Sequence, residues 1–234
     1  MKKHAVITGA SRGIGFAVAE YFAQNNYHLT LIARDSNGLS KAKSKLQQTN
    51  HNISINSYAV DLSQGAQAYQ KLQNIAQEAG EVDVVFNNAG VAKMGTLELE
   101  YDDFSHMIDV NVKGFFSVAQ IFGRKLKAQN KGYIINLSSM SGKRALTRTG
   151  GYAASKFAVI GFNQALRQEL APYNVKVTAI CPGMIDTDMT AQMNVDNNKK
   201  MTTRDITNAV DFLLKAGANA AVETLDIQTD IFPT

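Results

Sequence analysis

The chain has 234 residues, 45% hydrophobic and 19% charged, with a single cysteine and a net charge of +4; this suits one globular domain and excludes a disulfide framework or a cysteine metal cluster. No stretch approaches the ~20 apolar residues of a membrane helix, and the apolar run Ala5–Ile7 near the N-terminus is too short for a signal-peptide core, so a cytoplasmic protein is expected. The lysine-rich runs at 41–45 and 124–127 read as solvated helix faces, not as a nucleic-acid surface.

Seven short runs rich in Val, Ile, Leu or Thr and bounded by turn residues predict buried strands at 4–8, 28–33, 53–60, 82–86, 132–138, 175–181 and 223–228. Between them apolar residues recur at helical spacing, as at Phe16, Ala19, Phe22 and Ala23 and later at Phe157, Ile160, Phe162, Leu166 and Leu170. Such alternation predicts an α/β fold, a Rossmann-type doubly wound parallel sheet of about seven strands with helices on both faces, in a single domain over 1–234. Ligands of these sheets bind beyond the carboxyl ends of the strands, so the segments directly after them are the candidates.

After the first strand, "TGASRGIG" sets Gly9, Gly13 and Gly15 in Gly-x-x-x-Gly-x-Gly spacing around Ser11, Arg12 and Ile14. Absent side chains let a pyrophosphate approach the backbone, and the helix that follows offers free N–H groups and a positive dipole end. A tight strand-to-helix turn without a ligand is the plainer alternative. Further on, "GYAASK" places Tyr152 and Lys156 one helical turn apart on the same face. A cation lowers a phenol's pKa, but half ionisation near pH 7 needs about three units, too much for one lysine. About half a Tyr-x-x-x-Lys match is expected by chance in such a chain, so the pair alone decides nothing.

Together "TGASRGIG", "NNAG", "YAASK" and "PGMIDTDM", in this order and each beside a predicted strand or helix start, resemble the short-chain dehydrogenase/reductase family over essentially the whole chain. The resemblance implies a catalytic tetrad of Asn111, Ser139, Tyr152 and Lys156, with Ser138 as the alternative serine. Tyr152 would be the general acid or base, activated jointly by Lys156 and an oxidised nicotinamide ring. Ser139 would donate a hydrogen bond to the reacting oxygen. Lys156 would also hold the nicotinamide ribose, and Asn111 would disturb its helix and hold a water as part of a proton relay. Around the cofactor, Asp61 and Leu62 would meet the adenine, and Asn88, Ala89 and Gly90 would lie beneath the adenosine ribose. Pro182, Gly183, Ile185 and Thr187 would meet the carboxamide and phosphates. Cys181 reads as a buried, small apolar residue.

At the end of the second strand Ala33 stands where NAD-preferring members carry an acid, and Arg34 follows it. Guanidinium groups from Arg34 and Arg12 suit a 2′-phosphate, so NADP(H) is expected over NAD(H), with Asp35 as the residue that would reverse this if it faced the ribose. No metal is expected. Met94, Met140, Met184, Met189 and Met193 lie in loops that would surround the nicotinamide, or else fill core gaps. A short lid is expected at about 186–202. The substrate is a small carbonyl or alcohol; an acyl-carrier-protein-linked 3-oxoacyl thioester is the alternative, although Tyr173 and Asn174 stand where carrier-docking members usually present arginines. A homodimer through the helices of Asn111 and Tyr152 is expected, with a tetramer possible. A non-catalytic dinucleotide-binding regulator would need the glycine turn but not four intact catalytic residues.

Overall fold

The computed structural model describes residues 2–191 and 195–229. Among them seven strands form one sheet: β1 (His4–Thr8), β2 (His28–Ala33), β3 (Ile55–Ala59), β4 (Val84–Asn87), β5 (Gly132–Leu137), β6 (Val175–Pro182) and β7 (Thr224–Ile227). Their order is β3-β2-β1-β4-β5-β6-β7 and every pairing is parallel. Helices α1 (Gly13–Gln24), α2 (Ser36–Thr49), α3 (Ala66–Glu78), α4 (Tyr101–Ile108), α5 (Phe115–Gln129), α6 (Gly150–Leu170) and α7 (Thr203–Lys215) alternate with the strands. The fold is therefore the expected doubly wound one, and all seven predicted strands are present. The third begins two residues later than expected because the N–H and hydroxyl of Ser54 both turn to the His28 ring.

Successive side chains of a strand point to opposite faces, so each central strand serves two cores. Ala5 and Ile7 of β1 pack with Val18 and Phe22 of α1, Leu46 of α2 and Val210 of α7, whereas Val6 packs with Leu72 of α3, Phe122 of α5 and Val159 of α6. Phe22 and Phe122 are wholly buried on opposite faces, and full burial of such a side chain contributes roughly 1.5–3 kcal/mol. On α6 the expected apolar stripe is only partly inward. Val159, Ile160, Leu166 and Leu170 are buried, but Phe157 is 46% exposed, and with the 39% exposed Phe116 of α5 it leaves aromatic surface outside the core. No helix among the described residues is long and apolar enough to cross a membrane.

Strand order reverses between β1 and β4, which opens a crevice at their carboxyl ends. The opposite, amino-terminal end of β1 carries a polar cluster. His4 Nδ1 faces the carbonyl oxygens of Ala79 (2.9 Å) and Glu81 (3.2 Å), while Nε2 meets the Thr30 hydroxyl at 2.9 Å. With its proton on Nδ1 the neutral ring donates to the carbonyls and accepts from Thr30, so every partner is satisfied. Burial lowers the His4 pKa below its ordinary value, and the two carbonyls offset only part of this. The unfolded chain thus takes up a proton first as pH falls below about 6.5, and the stability due to the neutral ring is lost from there downward. We expect the urea midpoint of the wild type to fall between pH 7.5 and 5.5 by more than that of His4→Gln; equal falls in the two proteins would show that His4 is not a source of the pH dependence.

Candidate active site

The site is built where β1 and β4 end. Gly9 has a positive φ of 65°, and a Cβ on it would lie 2.6 Å from Asn88 Nδ2; a Cβ on Gly15 would lie 2.2 Å from the Gly9 carbonyl oxygen. Only glycine fits at either position. Asn88 locks this turn from below, since its Nδ2 donates to the Thr8 carbonyl at 2.8 Å, and the N–H groups of Asn88 and Ala89 both donate to Thr8 Oγ1. The helix that follows is left open. Arg12, at the N-cap of α1, makes no side-chain cap, and the first turn holds no acidic residue. Its N–H groups and positive dipole end, beside Ser11, Gly13 and Ile14, are therefore left without a side-chain cap and suited to an anion.

Four side chains gather beyond β4 and β5. Lys156 is 5% exposed and its Nζ donates to the Leu137 carbonyl at 3.1 Å, 5.7 Å from the centre of the Tyr152 ring. Burial lowers the Lys156 pKa to about 8. It pushes the half-buried Tyr152 phenol up to about 12, against the pull of the Ser139 hydroxyl that hydrogen-bonds it. Ser139 faces the phenol and its own oxygen accepts the Ser141 N–H. Ser138 points away. It is 2% exposed and donates to the Lys156 carbonyl at 3.2 Å.

Asn111 lies where the helix between α4 and α5 widens into a π-helical turn, Asp109–Gly114, a form that favours functional positions. Its Oδ1 accepts the Val91 N–H at 2.8 Å, and its Nδ2 donates to the Val91 carbonyl (2.8 Å) and to Ser155 Oγ (3.0 Å). Both side-chain N–H groups are used, so a relay water on the Asn111 side chain has only an Oδ1 lone pair to meet. A Cβ placed on Gly90 would lie 3.3 Å from Asn111 Oδ1 and 3.6 Å from Lys156 Nζ, which puts the "NNAG" loop over both. Ser155, missed in the sequence, donates to the Tyr152 carbonyl at 2.7 Å and joins it to Asn111. Thr8 was missed as well. Both sit inside quoted motifs, yet nothing in spacing separates them from filler.

Away from the tetrad, Asp61 Oδ1 accepts the N–H and hydroxyl of Ser63, next to the buried Leu62. Burial would raise the Asp61 pKa, but the Ser63 bonds and the charges of Arg34 and His106 hold it below its ordinary value. Arg34 is exposed. Asp35 turns onto the first turn of α2, where its carboxylate accepts the Asn37 N–H at 3.0 Å as the N-cap; this engages the acid that would otherwise oppose a phosphate. Among the described residues no three metal-ligating side chains converge.

After β6, the buried Pro182 leads to Gly183, whose N–H donates to the Ile227 carbonyl. Ile185 bridges Met201, and Thr190 Oγ1 donates to the Ile185 carbonyl. A Cβ on Gly13 would lie 3.6 Å from Thr187 Cγ2, so this segment touches the glycine turn. The expected lid includes residues 192–194, which lie outside the described residues, as do Met193 and residues 230–234. Met94 and Met189 are about half exposed, whereas Met140 packs on Ile160, Ala179 and Cys181 as a gap filler. Cys181 is wholly buried and its pKa is pushed up to about 12 by burial.

The family described as short chain dehydrogenase matches residues 3–198. A 3-oxoacyl-(acyl-carrier-protein) reductase of Chlamydia trachomatis is 34% identical over 201 residues, 85% of this chain and 80% of that protein. An alcohol dehydrogenase from the archaeon Thermococcus sibiricus, complexed with 5-hydroxy-NADP, superposes with a TM-score of 0.90 at 30% identity, covering 100% of both chains. ElxO with NADP bound gives 0.86 at 29% identity, covering 97% of this chain and 98% of that one.

The different surroundings of the two serines separate them experimentally. Loss of the buried Ser138 hydrogen bond should lower stability by about 1 kcal/mol with less than about a tenfold change in turnover of a carbonyl substrate. Ser139→Ala should lower kcat by roughly 10²–10³, as expected for removal of an oxyanion donor. Steady-state rates of both variants at a temperature where both are folded check this, and the reverse order would reassign the site to Ser138.

Proposed function

We propose how the site works in this chain, which belongs to the short-chain dehydrogenase family and is an NADP(H)-dependent oxidoreductase interconverting carbonyl and alcohol groups. The observation that carries the reading is the convergence of Ser139, Tyr152, Lys156 and Asn111 beside an uncapped helix end and a glycine turn that leaves no room for side chains. That donor set fits a phosphorylated dinucleotide: α1 presents free N–H groups, Arg34 and Arg12 present guanidinium groups, and Asp61 keeps its charge for an adenine amino group. Asn88, Ala89 and Gly90 form the floor, and Gly183, Ile185 and Thr187 the far wall. NADP-bound structures of two similar proteins support the choice of cofactor.

When bound, the nicotinamide cofactor supplies or takes the hydride. Tyr152 gives its phenolic proton to the carbonyl oxygen during reduction and takes the hydroxyl proton during oxidation. Ser139 donates a hydrogen bond to the same oxygen and holds it at the phenol. Burial raises the phenol to about 12 in spite of the Ser139 hydrogen bond and lowers Lys156 to about 8, so the phenolate left after proton transfer depends on neighbouring positive charge. Lys156 provides one such charge, and its ammonium is also placed to hold ribose hydroxyls. Asn111 fixes Val91 and, through Ser155, the first turn of α6; its role is to position Tyr152 and to offer one acceptor to a relay water.

The Chlamydia relative favours a second reading, reduction of a 3-oxoacyl thioester. Here Lys127 stacks on Tyr173 at 4.7 Å. The exposed Phe116 and Phe157, backed by Phe162 at 5.4 Å from Phe116, suit a dimer face on α5 and α6. One buried thiol and no disulfide suit a reducing cytoplasm.

A panel of aldehydes, ketones and a 3-oxoacyl thioester, followed at the nicotinamide absorbance, tests the activity. Tyr152→Phe should lower the rate by ~10²–10⁴ with NADPH binding retained; activity above a tenth of wild type would remove Tyr152 from the role. Arg34→Ala should weaken NADPH binding by roughly 1.5–3 kcal/mol, about ten- to a hundredfold, and leave NADH binding nearly unchanged. Equal losses for both cofactors would place Arg34 elsewhere.

A further inference from the structure

Arg12 and Asp188 are 176 residues apart in sequence, yet Arg12 Nη1 lies 3.0 Å from Asp188 Oδ2. One stands on the glycine turn and the other on the segment after β6, and both side chains are about three-quarters exposed. The contact is not isolated, because Thr187 lies against Gly13 beside it. The segment is pegged behind its tip, where Asp186 N–H donates to the Met201 carbonyl, Met201 N–H to Met184, and the buried Lys200 Nζ to the Thr190 carbonyl at 2.9 Å. Asp188 is thus held at a fixed place opposite Arg12.

We infer that Asp188 is a specificity-determining residue that competes with the cofactor's 2′-phosphate for Arg12. This rests on the proposed NADP(H) reading, in which Arg12 and Arg34 hold that phosphate. A carboxylate and a phosphate monoester are both planar-fork partners of a guanidinium, and the phosphate carries more charge and more acceptor oxygens. NADPH therefore has to displace Asp188 before Arg12 can serve it, and the displaced carboxylate stays close enough to repel the incoming phosphate. NADH brings no such group and leaves the ion pair closed. Asp188 accordingly lowers the preference for NADPH that the two arginines create.

The size of the effect is bounded. Exposed pairs are worth up to about 1 kcal/mol, which is a factor of about five in the fraction of Arg12 free to bind, and apparent affinity scales with that fraction. Dissociation constants for NADPH and NADH should be measured for wild type, Asp188→Asn, Arg12→Ala and the double variant at low and moderate salt. Asp188→Asn should bind NADPH about two- to fivefold more tightly at low salt, with a smaller gain at moderate salt and NADH unchanged. In the Arg12→Ala background the same substitution should bring no gain, which ties the effect to this pair. Asp188→Glu, which keeps the charge, should behave as wild type. Unchanged or weaker NADPH binding by Asp188→Asn overturns the inference, as does an equal gain without Arg12, which would reflect general repulsion. The NADP(H) reading fails separately, and only if the wild type binds NADH more tightly than NADPH.

Discussion

The site depends first on the Thr8 side chain. Its hydroxyl takes two backbone N–H groups from the loop after β4, and its carbonyl takes the Asn88 amide. These three bonds join the ends of β1 and β4 at the point where strand order reverses, and they set the height of the glycine turn above the "NNAG" floor. Hydrogen bonds of this kind are each worth about 1 kcal/mol net, but a buried backbone N–H left without its partner costs more. The crevice therefore keeps one geometry, and the helix end above it remains free because Asn88, not a capping side chain, supports the turn.

A second constraint is electrostatic. The interior that holds Lys156 and Tyr152 disfavours charge on either one, lowering the lysine and raising the tyrosine. Proximity within one helical turn would not by itself make a phenolate. The ammonium donates to a backbone carbonyl and lies over the Tyr152 ring, 5.7 Å from its centre. With its phenol raised, Tyr152 holds a proton to give to a carbonyl oxygen, and nearby positive charge is what would stabilise the phenolate left behind or needed as a base.

The fold was legible because parallel strands buried on both faces are written as short apolar runs, as in β1, β2, β4, β5 and β6, while the edge strands β3 and β7 show the pattern only in part. Motif residues were legible for a different reason: a glycine forced by close approach, or a Tyr and Lys on one helical face, leaves a spacing that can be read. Ser155, Thr8 and Asp188 could not be found in this way. Their importance comes from contacts between segments 44 to 176 residues apart, and no local period encodes those. The outward turn of Phe157 escaped for a related reason. Helical spacing identifies an apolar residue, but whether it meets the sheet or the outside depends on how the whole helix is rolled. At Asn111 the expected disturbance of the helix corresponds to a π-turn, whose extra residue leaves no sign in composition.

The central pairing of β1 with β4 has a consequence for how the protein comes into being. Ala5 is hydrogen-bonded alongside Val84, and His4 alongside Asp83, so the two halves of the crevice are made by parts of the chain that leave the ribosome far apart in time. Contacts of such long sequence separation close late, after the entropy of the intervening loop has been lost. The nascent first strand and its glycine turn have no floor, and hence no place for a dinucleotide, until β4 has docked. Tyr152 and Lys156 follow later still, on a helix that docks against β6 and β5. A chain stalled before α6 therefore lacks Tyr152 and Lys156, even where its glycine turn has already gained a floor.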